Sequence, residues 1–122
     1  MKKLYLDDIR IPQTEGWDIV RSYDDFVNWI EMNGLPDIVS FDHDLGEDVA
    51  KEKVANGMSK RKAREEKKYT KSGYDCAKWL VEYCIKNNLP YLPEYNVHSA
   101  NPVGKANIES YLSNAKKHLN KL

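Results

Sequence analysis

The sequence predicts an α/β sandwich built on a mainly parallel sheet, and three observations predict it. Two short apolar runs, Lys3-Leu4-Tyr5-Leu6 and Ile38-Val39-Ser40-Phe41, end abruptly in the acidic clusters Asp7-Asp8 and Asp42-His43-Asp44. A strand covered on both faces reads as such a continuous run, which is typical of parallel sheets. Segments of helical periodicity alternate with the candidate strands, the order expected of a parallel sheet joined by crossover helices. The 122 residues suffice for one core rather than two, since a domain organises roughly 100–150 residues.

Each element has a local cause. The first strand is expected over 3–6 and a second over 17–21, Trp17-Asp18-Ile19-Val20-Arg21. The link between them, 9–16, is short for a crossover, so its helix is expected to have degenerated into a loop. Ser22-Tyr23-Asp24-Asp25 has the capping-box pattern with Asp in place of Glu. The helix it opens carries Phe26, Val27, Trp29 and Ile30 as an apolar stripe, and Asn33-Gly34-Leu35-Pro36 stops it. After the third strand, 38–41, regular structure resumes at Tyr74, where Ala77, Leu80, Val81, Cys84 and Ile85 share a helical face that ends at Asn87-Asn88-Leu89-Pro90. Tyr95 to Ser99 forms the last strand. Asn101-Pro102 then has the N-cap and first-turn pattern of a final helix to about Leu119, with Ile108, Leu112, Ala115 and Leu119 inward. Right-handed crossovers place the first and third strands side by side.

Between the third strand and the Tyr74 helix the pattern breaks. The 51–71 segment, from Lys51 to Lys71, holds 9 basic and 3 acidic residues and almost no large apolar side chains. It reads as an exposed insertion, 47–72, within a single domain spanning 1–122, helical over about 59–68. Either it is an ordinary solvated face or it attracts an anion.

Charge excludes several classes. The 19 Lys+Arg and 19 Asp+Glu cancel, and a pI near 6.8 fits neither a uniformly basic nucleic-acid binder nor an acidic mimic. The cancellation is not local: residues 1–50 carry 4 basic and 12 acidic side chains, a balance of −8, and the remainder carries +8. No apolar run approaches the roughly 20 residues that cross a bilayer, and no signal-peptide core follows Met1, so a cytoplasmic protein is expected. Cys76 and Cys84 lie eight positions apart in one helix, about 12 Å by helix rise and too far for a disulfide. Cys84 reads as core and Cys76 as a neighbour at the edge of the buried face, with no activating partner for either.

In open parallel sheets the functional loops lie beyond the carboxyl ends of the strands. Asp7, Asp8, Asp42, Asp44 and the His98-to-Asn101 segment are thereby drawn to one rim. Carboxylates gathered there repel one another, and an oxygen-rich cluster of this kind suits Mg²⁺ or Mn²⁺, which recruit a phosphate. Asp7, Asp8 and Asp42 are the expected metal ligands, and His98 is a candidate acid/base or phosphate contact. His43, one residue after Asp42, falls on the opposite face. Ser99, Asn101, Gly104 and Lys105 surround a helix start that favours anions. His118, near the end of the same helix, reads as a surface residue.

Leu4-Tyr5-Leu6-Asp7-Asp8 with Arg10 and Pro12, Phe41-Asp42-His43-Asp44-Leu45-Gly46, Gly73-Tyr74-Asp75, and His98-Ser99-Ala100-Asn101-Pro102-Val103-Gly104 with Asn107-Ile108 together resemble the cyclic-phosphate-processing receiver-like family. These are small bacterial and phage proteins related to response-regulator receiver domains. The resemblance implies a receiver-like, flavodoxin-like three-layer sandwich and a role in processing nucleotide-type cyclic phosphates in bacterial defence or phage counter-defence. It likens Asp7 and Asp8 to the acidic pair that holds Mg²⁺, Asp42 to the phosphoacceptor, and Ser99-Ala100 to the switch Ser/Thr-Ala. No strand ending in Lys-Pro follows, and Lys105 comes from a helix instead. Losing that machinery while adding His43 and His98 favours ligand processing over signalling.

The leading expectation is a metal-assisted phosphoesterase acting on a cyclic or nucleotide phosphate. Asp42, His43 and His98 are its catalytic candidates, and Asp44, Ser99, Asn101, Gly104 and Lys105 its substrate contacts. A non-catalytic nucleotide- or protein-binding module, a degenerate phosphoacceptor, and nucleic-acid binding through the 51–71 segment stand as the alternatives.

Overall fold

The computed structural model describes residues 1–45, 53–67 and 71–119. Positions 47–52 and 68–70 of the expected insertion lie outside the described residues, as do 46 and 120–122. The elements in chain order are β1 (Lys3–Leu6), β2 (Trp17–Val20), α1 (Tyr23–Asn33), β3 (Ile38–Phe41), α2 (Lys60–Lys67), α3 (Gly73–Lys86), β4 (Glu94–Val97) and α4 (Pro102–Leu119). All strand pairings are parallel and the sheet order is β2-β1-β3-β4, with β1 beside β3 as the crossover rule requires. A parallel sheet served by helices in this order is the α/β receiver arrangement.

The register fixes which side chains share a face. Leu4 pairs with Val39, Leu6 with Val20 and Phe41, and Phe41 with Val97. These six apolar side chains belong to one core cluster. Phe26 and Ile30 of α1, Cys76, Ala77, Leu80 and Val81 of α3, and Ile108 and Leu112 of α4 complete that cluster. α1 packs on α3, α3 on α4, and α4 reaches β4. On the opposite face, Lys3, Tyr5, Trp17, Ile19, Ile38, Ser40, Glu94 and Asn96 all lie outside that cluster. Ile19 is 39% exposed, and Glu94 and Asn96 are exposed. The 9–16 connection forms no helix, as its length foretold, so helical cover from that stretch is missing from this second face.

Helix ends follow side-chain chemistry. Ser22 accepts the Asp25 N–H at 3.1 Å, but the Asp25 carboxylate turns to the Arg21 N–H rather than back to Ser22, so the expected box is half made. The complete capping box lies at α3: the Ser72 N–H donates to Asp75 Oδ2 at 2.8 Å and the Asp75 N–H to Ser72 Oγ at 3.4 Å. Two core expectations need correction. Ile85 is 48% exposed because it lies in the last turn of α3, off the buried stripe, while Cys76 is fully buried rather than marginal. Within the insertion, α2 is exposed over most of its described side chains, with Ala63 buried. Arg61 and Glu65 pair across one turn at 3.7 Å. Among the described residues, no helix is long and apolar enough to cross a membrane.

Candidate functional site

Three adjacent strands end in step. Asp7, Asp42 and His98 each follow the last residue of β1, β3 and β4, and the ladder continues into them. The Asp42 N–H donates to the Leu6 carbonyl and the His98 N–H to the Phe41 carbonyl, both at 2.9 Å. Because side chains alternate along a strand and Leu6, Phe41 and Val97 point into the core, these three residues point to the opposite face. One ligand atom from each lies within 4.8 Å of the others.

Asp7 is 1% exposed and fully engaged. Its Oδ1 accepts the N–H groups of Ile9 at 2.9 Å and Arg10 at 2.8 Å, and its Oδ2 lies 2.9 Å from His98 Nε2. Burial pushes this carboxyl up, but the two backbone donors and His98 outweigh it and leave it below its ordinary value. Asp42 has the reverse balance. Burial, then the charges of Asp7 and Asp8, raise it to about 6, against the lowering effect of the His43 N–H and the Ser99 hydroxyl. Asp8, 7% exposed, lies outside the three-ligand group and acts on Asp42 through its charge.

His98 is held on three sides. Its ring stacks on Tyr5 at 4.4 Å between centroids and 6° between planes, and its Nδ1 lies 2.7 Å from Ser40 Oγ. Ser40 in turn donates to Asn96 Oδ1. Burial lowers the imidazole pKa and Asp7 offsets part of that shift. Arg10 donates from Nη1 to the His98 carbonyl at 3.3 Å, and Arg21 reaches the Asp7 carbonyl at 3.1 Å, so two cations brace the rim. Neither Ser40 nor Asn96 stood out in the sequence. The available signal was the alternation: each lies two residues before a site residue and shares its face.

The remaining candidates form a second group at the start of α4. His43 points away from Asp42, as the alternation predicted, and its Nδ1 lies 3.0 Å from Asp44 Oδ1. Its ring fills the space left by Gly104, where an added Cβ would stand 2.4 Å from the imidazole Cγ. Asn101 Oδ1 accepts the Gly104 N–H at 3.0 Å, which makes Asn101 the cap of α4, and its Nδ2 donates to Asp44 at 3.4 Å. Ser99 Oγ accepts the Asn101 N–H at 3.1 Å and also bonds Asp42, linking the two groups. Lys105 is exposed on the first turn, and His118 is exposed in the last turn. Both cysteines are free thiols held up by burial, Cys84 to about 11, which suits packing rather than nucleophilic chemistry.

Buried acids at the ends of parallel strands, on a sheet of order 2-1-3-4, define a receiver-type α/β protein. The family model of the cyclic-phosphate processing receiver domain matches residues 2–114, and the chain belongs to that family. No curated protein and no solved structure matches the chain. Receiver domains bind Mg²⁺ through acidic residues, and the donor set fits a divalent cation. Two carboxylates and an imidazole converge, and Asp42 is raised by burial and then by its like-charged neighbours, a repulsion that a cation relieves.

Proposed function

We propose that this chain is a metal-dependent phosphoesterase acting on a cyclic or nucleotide phosphate. The observation that carries the reading is the convergence of Asp7, Asp42 and His98 within 4.8 Å beside a third buried acid, Asp8. The Asp7 and Asp42 carboxylates would hold Mg²⁺ or Mn²⁺, whose chemistry is to polarise a phosphoryl oxygen and lower the pKa of water. The protein supplies the rest. Asp7 is fixed by two backbone donors before any ligand arrives, so its placement costs little on binding. The Ser99 hydroxyl and the cations Arg10 and Lys105 would serve as phosphate contacts. His43, oriented by Asp44 and held with it by Asn101 and Gly104, would serve proton transfer from the α4 side of the rim, across Ser99 from the metal ligands. The basic insertion, with its Lys60, Arg61, Lys62 and Arg64, raises the local concentration of an anionic substrate.

The test is turnover of a panel of 2′,3′- and 3′,5′-cyclic nucleotides with Mg²⁺ or Mn²⁺, followed by ³¹P NMR. Ring opening of at least one member is expected, and Asp42→Asn should lower it by at least about 10³-fold, the scale of losing a group that acts in the transition state. A ligand bound by calorimetry but recovered intact overturns the enzyme reading in favour of a binding module. An acid-labile gain of about 80 Da on Asp42 after acetyl phosphate treatment overturns it in favour of a phosphoacceptor.

A further inference from the structure

We propose that His98 is a metal ligand through Nε2, presented in that role by Ser40 and Asn96, and that the site therefore selects Mn²⁺-like ions over Mg²⁺. The inference rests on the metal-dependent reading above and assigns His98, an acid/base candidate in the sequence, to coordination.

The argument follows one proton. Ser40, 3% exposed, has a single hydroxyl hydrogen, and it goes to Asn96 Oδ1. Its oxygen then accepts from His98 Nδ1, 2.7 Å away, so in the neutral ring the proton sits on Nδ1. Nε2 is left with a lone pair aimed at a carboxylate oxygen, Asp7 Oδ2, at 2.9 Å. Two lone pairs at that distance need a shared cation, a proton in the metal-free Asp7–His98 ion pair or, in its place, a metal ion. A separation of about 3 Å is also what neighbouring ligands of one small divalent ion take when each stands about 2.1 Å from it. Asp42 supplies the third donor.

This is the arrangement that ligating histidines use, in which the far ring nitrogen donates to an outer partner that fixes tautomer and orientation. Stacking on Tyr5 fixes the remaining rotation of the ring. With both nitrogens committed, His98 is poorly placed to shuttle protons with solvent, whereas His43, similarly shielded, has one nitrogen uncommitted to Asp44. An imidazole among the donors also changes selectivity. Mg²⁺ favours oxygen ligands and retains water, while Mn²⁺ and later divalent ions gain affinity from nitrogen.

The experiment uses the full chain loaded with Mn²⁺ and reads coordination, not activity. Electron spin echo modulation should reveal one directly bound ¹⁴N, lost in His98→Gln. Calorimetry should give Mn²⁺ at least about tenfold tighter than Mg²⁺. Ser40→Ala should weaken Mn²⁺ by about 10–100-fold with a smaller effect on Mg²⁺. Asn96, on the surface, gives a second variant less exposed to folding failure. Asn96→Leu frees the Ser40 proton for Nδ1 and should weaken Mn²⁺, and Asn96→Asp, which keeps the acceptor, should restore it. Bound Mn²⁺ without ¹⁴N coupling, or equal losses for both ions in the Ser40 and Asn96 variants, overturns the inference and leaves the metal-dependent reading standing. Failure to bind either ion overturns both.

Discussion

Asp42 is where electrostatics costs this molecule most visibly. It is 7% exposed and raised to about 6, first by burial and then by Asp7 and Asp8. A carboxyl whose folded pKa stands above its unfolded one binds more protons in the native state. Its contribution is therefore favourable below the unfolded value near 3.8 and is lost as pH rises through about 6. The shift corresponds to about 2–3 kcal/mol. In chelator, the stability of the wild-type chain relative to Asp42→Asn should fall by about 2 kcal/mol between pH 4 and pH 7.5, on the scale set by that linkage, while His98, whose pKa is lowered, shifts both proteins the other way. Asn at this position cannot ionise, so Asp42→Asn should flatten that limb and exceed the wild type in stability at pH 7.5. Parallel pH profiles for the two proteins would remove Asp42 as the source. Asp7 works in the opposite direction: its carboxyl is held low, so its contribution is present at neutral pH and lost on acidification.

At the scale of elements, two glycines decide how helices meet the end of β3. The Gly73 N–H donates to the His43 carbonyl at 2.8 Å, and a Cβ on Gly73 would stand 1.7 Å from the Asp42 carbonyl oxygen. Backbone cannot step aside there, so Gly73→Ala should push α3 off the strand and cost about 3 kcal/mol or more. Gly104→Ala meets a side chain instead, the His43 ring, and should cost about 1–2 kcal/mol while displacing His43 from Asp44. Urea unfolding of both variants, with imidazole NMR shifts for the second, checks the ranking; equal costs would mean that α3 is not docked as described. β1 and β3 and their adjacency were legible because apolar runs stopping at acids mark where a parallel sheet meets its rim. The final helix was legible because Asn101-Pro102 is a local signal. Less legible was whatever depends on a distant neighbour. Ser40 reads as one more residue of a buried run until β4 brings Asn96 and His98 beside it, 56 and 58 positions away. The same Ser-x-x-Asp spacing occurs at Ser22 and Ser72, yet only the second closes a full box, because Asp25 turns to the Arg21 N–H instead.

For the molecule as a whole, neutrality is a sum and not a local state. Residues 1–50 hold the −8 balance and the buried site acids, while the compensating basic residues include Arg61, whose side chain is 91% exposed and paired with Glu65. Charges so placed are screened within a Debye length of about 8 Å at physiological ionic strength and neutralise a buried pocket poorly. A cation inside the pocket acts where the repulsion is, and its ligands come from β1, β3 and β4, so it ties together three of the four strands at their open ends. Binding to the native state alone stabilises by about 2.7 kcal/mol at a hundred times the dissociation constant. For a chain of this size that is roughly 10 °C in melting temperature. Mn²⁺ at millimolar concentration should therefore raise the melting temperature of the wild type by roughly that amount, and NaCl at equal ionic strength by far less. Asp42→Asn should melt higher than the wild type in chelator and gain little from Mn²⁺, because the substitution removes the repulsion and a ligand together. A wild-type melting curve indifferent to Mn²⁺ would sink the idea that the acidic rim is built around an ion.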